Sequence, residues 1–187
     1  AFRTFPGKRW STASDDDCNG EPNEYDPRFR PWFVSSATGP KDIIVLLDIS
    51  GSMGLGAVGA DNSRLDVARD AVRLVIDTLS PSDYFNVIVF NDDARPLSCF
   101  NDTLARATNY NKDSVKSALA SIVPEGGTNF PQVFNTAFDM LVNSRAKFES
   151  SECQQTILFL TDGISSDPRP IIAQGQARLE SKARIFS

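Results

Sequence analysis

The sequence predicts an α/β fold: a doubly wound, mainly parallel sheet with one antiparallel edge strand and helices on both faces. Three observations lead there. Apolar runs at residues 43–47, 84–90 and 156–160 read as strands, the first without alternation and so covered on both sides. Between them lie segments whose apolar residues recur at helical spacing. The two kinds alternate along the chain, which is the pattern of a parallel sheet wrapped by its connecting helices.

In chain order, residues 1–23 are polar, with Asp15, Asp16 and Asp17 and several Gly and Pro residues, and read as irregular structure with a solvated acidic patch. Tyr25-Asp26-Pro27-Arg28-Phe29-Arg30-Pro31-Trp32-Phe33 interleaves rings with guanidinium groups and prolines. Such a segment packs as a strap across one face of a core. Residues 1–40 are therefore assigned to an irregular N-terminal segment and 41–187 to the α/β domain.

The first strand ends in Asp48-Ile49-Ser50-Gly51-Ser52. Gly51 and Gly54 are expected to supply positive-φ backbone in that loop. Ser63 suits the cap of a helix over residues 64–79, with Leu65, Ala68, Val72, Val75, Ile76 and Leu79 on its buried face. Asp66, Arg69, Asp70 and Arg73 form charge pairs on its outer face. After Pro81-Ser82-Asp83 comes the second strand, then an Asn91-Asp92-Asp93 turn into a short antiparallel strand at 94–98. A helix is predicted over 114–122. Pro124-Glu125-Gly126-Gly127-Thr128-Asn129 is a loop, and Pro131 suits the first turn of the helix after it. The third strand ends in Thr161-Asp162-Gly163. A last helix falls within 170–181, before a terminal strand at 183–187.

Length and composition fit one globular domain, with 187 residues, 41 % hydrophobic and 23 % charged. The net charge of −5 and the lack of a basic cluster argue against a nucleic-acid partner. The chain contains no histidine, which removes the commonest zinc ligand and general base. Every Ser-His-Asp or Cys-His mechanism goes with it. Cys18, Cys99 and Cys153 are far apart and form no C-x-x-C motif. One disulfide plus an external thiol partner, or three free thiols, both fit that count. Asn101-Asp102-Thr103 is a glycosylation sequon. No apolar run reaches the roughly 20 residues of a membrane span. The absence of a leader at Ala1 and the uncapped strand at 183–187 suggest a segment of something larger, truncated at its C-terminus.

In open α/β sheets ligands sit beyond the carboxyl ends of the strands. The sequence puts Asp48, Ser50 and Ser52 after one strand, Asp162 after another, and Thr128 on a Gly-Gly loop opening a helix. Two carboxylates and three hydroxyls are hard donors suited to Mg²⁺ or Ca²⁺, with Mn²⁺ a third option. They leave room in the shell for waters and one oxygen from a partner.

Asp-x-Ser-x-Ser, the Gly-Gly-Thr and Leu160-Thr161-Asp162-Gly163 together resemble the metal-ion-dependent adhesion site of von Willebrand factor A domains. The resemblance spans residues 41–187 and implies a Rossmann-like α/β fold. It also implies that Ser50, Ser52 and Thr128 give hydroxyls to the metal, with Asp48 and Asp162 binding directly or through water. A partner's acidic oxygen would complete the shell. A narrower resemblance is to the alpha-2/delta subunits of voltage-gated calcium channels and related proteins that pair this domain with Cache domains. It rests on Asp26-Pro27-Arg28-Phe29-Arg30-Pro31-Trp32, Gly39-Pro40-Lys41-Asp42, Tyr84-Phe85-Asn86-Val87, Ser98-Cys99-Phe100 and Cys153. It implies that residues 1–40 belong to a Cache-like module and that Arg30 holds an amino-acid carboxylate. A Cys99–Cys153 pair is conceivable from the sequence, and the resemblance makes disulfide links from the domain to other segments equally plausible.

The function expected is non-enzymatic: divalent-cation-dependent protein binding within an extracellular or membrane-associated assembly, including its other subunits. Two alternatives stand beside it. One is a haloacid-dehalogenase-like phosphoryl hydrolase using Asp48. Ser50 occupies the place of its second aspartate, and a serine cannot serve as that acid. The other is a structural module with no ligand exchange at the metal.

Overall fold

The computed structural model describes residues 10–12, 23–25, 39–57, 62–163, 167–179 and 182–187. The chain divides into two units, Ala1–Gly39 and Pro40–Ser187. In the first, β1 (Trp10–Thr12) pairs antiparallel with β2 (Asn23–Tyr25), Trp10 opposite Tyr25. Composition predicted irregular structure there, so this short pair is a correction. Arg30 and Cys18 lie outside the described residues.

The second unit runs β3 (Lys41–Asp48), α1 (Arg64–Thr78), β4 (Tyr84–Phe90), β5 (Ala94–Pro96), β6 (Ala105–Arg106), α2 (Asn109–Ala120), α3 (Phe130–Ala146), β7 (Gln154–Leu160), α4 (Arg169–Gln176) and β8 (Arg184–Phe186). The sheet order is β5-β4-β3-β7-β8, with β6 also on β4. Strands β4, β3, β7 and β8 are parallel. Both β5 and β6 pair antiparallel with β4. The single antiparallel edge strand predicted is therefore two short ones along the same strand.

Strand β3 is buried on both faces because its side chains split between two cores. Ile43, Val45 and Leu47 join Leu65, Val72 and Ile76 of α1 and Val115 and Leu119 of α2. Ile44 and Leu46 join Phe134, Phe138 and Leu141 of α3, with Ile171 and Ile172 of α4 packed against them. Helices thus cover both faces, and the fold is the doubly wound α/β arrangement predicted.

The chain leaves β3 to one side for β4 and later crosses back to its other side for β7. The gap between β3 and β7 is the switch point at which such sheets bind ligands. Register brings the strand ends level there, with Asp48 opposite Phe90 and Leu47 opposite Leu160. Beneath that edge, Phe90, Phe130, Phe134 and Phe159 form an aromatic cluster, with Phe90 and Phe159 stacked at 5.6 Å and Phe130 edge-on to Phe159 at 5.0 Å. Such pairs add about 0.5–1.5 kcal/mol beyond area burial. They fix the start of α3 and the end of β7 in relation to β4.

Helix boundaries follow their caps. Ser63 accepts from the Asp66 N–H while the Asp66 carboxylate accepts from the Ser63 N–H, a reciprocal capping box for α1. The Asn129 side chain accepts from Gln132 N to cap α3, with proline in its first turn as predicted. Helix α2 starts at Asn109, earlier than the predicted 114, behind a Thr108 cap. Its first turns carry buried Lys112, whose ammonium donates to the Leu79 carbonyl. A lysine on the inner face hides the apolar period.

Candidate metal centre

Asp48 is fully buried at the end of β3. Its Oδ1 accepts from the Ser50 N–H at 2.8 Å, and its Oδ2 accepts from the Thr161 hydroxyl at 2.6 Å. A buried carboxylate needs such partners, and here the two donors come from the two loops at the switch point. Ser50 Oγ lies 3.1 Å from Ser52 Oγ, and the Ser52 hydroxyl donates to Asp162 Oδ1 at 2.8 Å. Asp162 Oδ2 in turn accepts from the Arg64 guanidinium.

The serine loop is held from below and from the side. Gly51–Gly54 is a 3-10 turn begun by Ser50 and anchored by buried Met53. The Ile49 N–H donates to the Phe90 carbonyl at 2.9 Å, continuing the β3–β4 alignment beyond Asp48. Glu125 N to Ile49 O at 2.7 Å and Gly51 N to Gly126 O at 3.0 Å join the serine loop to the loop that carries Thr128. Thr128 is half-buried between Gly127, whose N–H donates to Asp92 Oδ2 at 2.9 Å, and Asn129, whose N–H donates to the Asn91 carbonyl at 2.8 Å. The end of β4 therefore braces this third loop.

The glycines work differently from the expectation. Gly51 and Gly54 have ordinary φ; the positive value in this region is at Gly126, φ 75°. A Cβ at Gly126 or Gly127 would also stand 2.7 or 2.5 Å from an Asp92 carboxylate oxygen. At Gly54 the constraint is packing, since a Cβ would meet the Pro124 ring at 3.0 Å.

The predicted residues Asp48, Ser50, Ser52 and Asp162 are thus one hydrogen-bonded group, which Thr161 joins at Asp48, and Thr128 lies on the loop bonded to theirs. Thr161, Arg64 and Asp92 were not singled out from the sequence. Thr161 sits inside the Thr-Asp-Gly motif, a signal that was available; the roles of Arg64 and Asp92 depend on loop packing with no local pattern. Among the described residues no three carboxylate or thiol groups cluster to hold a metal, so any cation here relies on hydroxyls. The 3.1 and 2.8 Å separations are hydrogen bonds among hard oxygen donors of the kind that Mg²⁺ and Ca²⁺ both accept.

Other predicted features lie elsewhere. Asn101 is exposed, in a loop whose Asp102 pairs with Lys147 just past the C-terminus of α3, the end opposite Thr128. Cys99 and Cys153 are exposed free thiols, so they do not pair with each other. No helix among the described residues is long and apolar enough to cross a membrane.

Residues 43–164 match the sequence model of the von Willebrand factor type A domain. The rat voltage-dependent calcium channel subunit alpha-2/delta-3 is 34 % identical over 193 residues, covering 100 % of this chain and 16 % of the relative. Human alpha-2/delta-4 is 31 % identical, covering 100 % and 15 %, and human alpha-2/delta-2 is 35 % identical, covering 86 % and 13 %. The chain thus spans a small fraction of the length of these relatives. Among solved structures, a von Willebrand factor type A protein from Catenulispora acidiphila superposes with a TM-score of 0.61 at 21 % identity, covering 79 % of this chain and 32 % of that one. Proximal thread matrix protein 1 from the mussel byssus, described with a zinc-occupied MIDAS motif, gives 0.55 at 20 % identity, covering 79 % and 35 %. The fold, the order of the motif residues and the match over residues 43–164 agree, and the chain belongs to the von Willebrand factor type A domain family.

Proposed function

We propose that this chain is a divalent-cation-dependent protein-binding domain of a larger extracellular or membrane-associated protein, and that it is not an enzyme. Ser50, Ser52 and Thr128 give hydroxyl oxygens to Mg²⁺ or Ca²⁺, and Asp48 and Asp162 balance its charge directly or through water. When bound, the ion supplies a Lewis-acidic position for a partner's acidic side chain. The observation that carries this reading is the run of Ser50 Oγ, Ser52 Oγ and Asp162 Oδ1 at 3.1 and 2.8 Å beside buried Asp48. Asp48 orients the serine loop through its bond to the Ser50 N–H, and Thr161 keeps that carboxylate in place.

Nothing favours the phosphoryl-hydrolase alternative. That chemistry wants a second carboxylate two residues after the nucleophile as its general acid, and Ser50 stands there instead. A thermal melt tests the binding reading. With Mg²⁺ about a hundredfold above its Kd, wild type should melt about 5–10 °C above its value in EDTA. The Asp48→Ala chain should show no such difference. A wild-type melt indifferent to EDTA would leave a structural module without ligand exchange.

The resemblance to alpha-2/delta subunits supports placing the parent protein in a channel-like assembly at the cell surface, with other subunits as partners. On the same basis we assign residues 1–40 to a Cache-like module with Arg30 as its carboxylate-holding residue. Calorimetric titration with free amino acids, silent in Arg30→Ala, tests that assignment. Exposed Asn101 is proposed as a glycan site, read as a mass shift on deglycosylation of protein secreted from eukaryotic cells.

A further inference from the structure

We propose that Arg64 sets the charge of this site: it offsets Asp162, loosens the hold on the cation, and leaves the loaded site net positive towards an acidic partner. The inference rests on the metal-binding reading above.

Arg64 is the first residue of α1, and its N–H donates to the Leu55 carbonyl at 2.9 Å, fixing it against the end of the serine loop. Its guanidinium donates to Asp162 Oδ2 while Asp162 Oδ1 accepts from Ser52. The Asp162 side chain is 10 % exposed and that of Arg64 36 %. One carboxylate is therefore bridged between a metal-facing hydroxyl and a fixed cation. Helix stability does not explain this placement, because a cation at a helix N-terminus opposes the helix dipole.

The charges bonded into the site are two carboxylates and one guanidinium, which together leave a single negative charge. A divalent ion turns that into a single positive charge. Without Arg64 the loaded site would be neutral, holding its ion more firmly but exerting little pull on a carboxylate. Exposed Asp92, on the far loop, is engaged with the Gly127 N–H and is screened by water. Net positive charge draws anionic groups and rejects cationic ones, which sets partner class more than total affinity.

The test uses the full chain with Arg64→Gln, which keeps an N–H donor for Asp162, and Arg64→Lys, which keeps the charge. Calorimetric titration with Mg²⁺ should show Arg64→Gln binding about tenfold tighter than wild type, the effect of removing a unit charge near a divalent ion in water-like screening. Arg64→Lys should bind like wild type. In EDTA, Arg64→Gln should melt below wild type, because two carboxylates are left without a cation. On Mn²⁺-loaded protein, water-proton relaxation titrated with acetate should need about threefold more acetate for Arg64→Gln. Equal or weaker Mg²⁺ binding by Arg64→Gln overturns the proposal, since a purely positioning arginine predicts that result. If wild type takes up neither Mg²⁺ nor Mn²⁺, the metal reading itself fails and this inference fails with it.

Discussion

Asp48 serves two loops at once. Its Oδ1 shapes the serine turn through the Ser50 N–H and its Oδ2 receives the Thr161 hydroxyl from the end of β7. Thr161→Val would leave a buried carboxylate oxygen without its donor, at a cost of about 1–3 kcal/mol. Urea unfolding should show that loss, with Thr161→Ser close to wild type. A Thr161→Val chain as stable as wild type would mean that water replaces the hydroxyl. At this scale the sequence singled out Asp48, Ser50, Ser52, Thr128 and Asp162 as candidates, because their residue types and order are the signal. It did not expose Arg64, whose role depends on where α1 begins relative to Asp162. The positive φ at Gly126 was also hidden, as was the close approach of Asp92 and Asn91 that leaves no room for a Cβ there.

Secondary-structure elements were legible where one face is uniformly apolar. Helix α1 and its Ser63 cap were found as predicted; α2 was found late because buried Lys112 breaks its period. Packing between elements left weaker traces. Gly175 in α4 is one, for a Cβ there would overlap the Phe138 ring of α3. Gly175→Ala should cost about 1–3 kcal/mol in urea unfolding, as overpacking does. An unchanged midpoint would show that α4 shifts freely. At the opposite end of the sheet from the serine loop, buried Asp83 accepts from Lys41 N and its ammonium at 3.0 Å each and from Ser80 N at 2.7 Å. Burial pushes its carboxyl up, but bonds from the Ser80 N–H, the Lys41 ammonium and the Ser80 hydroxyl outweigh it and hold the group below its ordinary 3.8. A carboxyl lowered on folding stabilises above its unfolded value, and that contribution is lost as pH falls through the folded one. Asp83→Asn should therefore be less stable at neutral pH and lose less on acidification below 3.8. Parallel acid-unfolding curves for the two chains would contradict this.

For the molecule as a whole, the fold class was readable because strands and helices alternate, and the mainly parallel sheet follows from that alternation. The second antiparallel edge strand, β6, was not, since two residues carry no period. Both hydrophobic cores are built, among the described residues, from Ile43 to Ile185. A chain beginning at Pro40 should accordingly keep a cooperative melt, and loss of cooperativity would place essential packing in the first unit. Cys99 and Cys153 should both be labelled by maleimide in the native protein, as mapped by peptide mass, because both are exposed thiols. The central claim is that one divalent ion is held by the oxygens gathered at the β3–β7 switch point. Titration with Mn²⁺, read by the loss of the free-ion paramagnetic resonance signal, tests it most directly. One bound ion per chain in wild type, displaced by Mg²⁺ and lost in Asp48→Ala, is the predicted result. No bound ion, or a bound ion that survives Asp48→Ala, would contradict it.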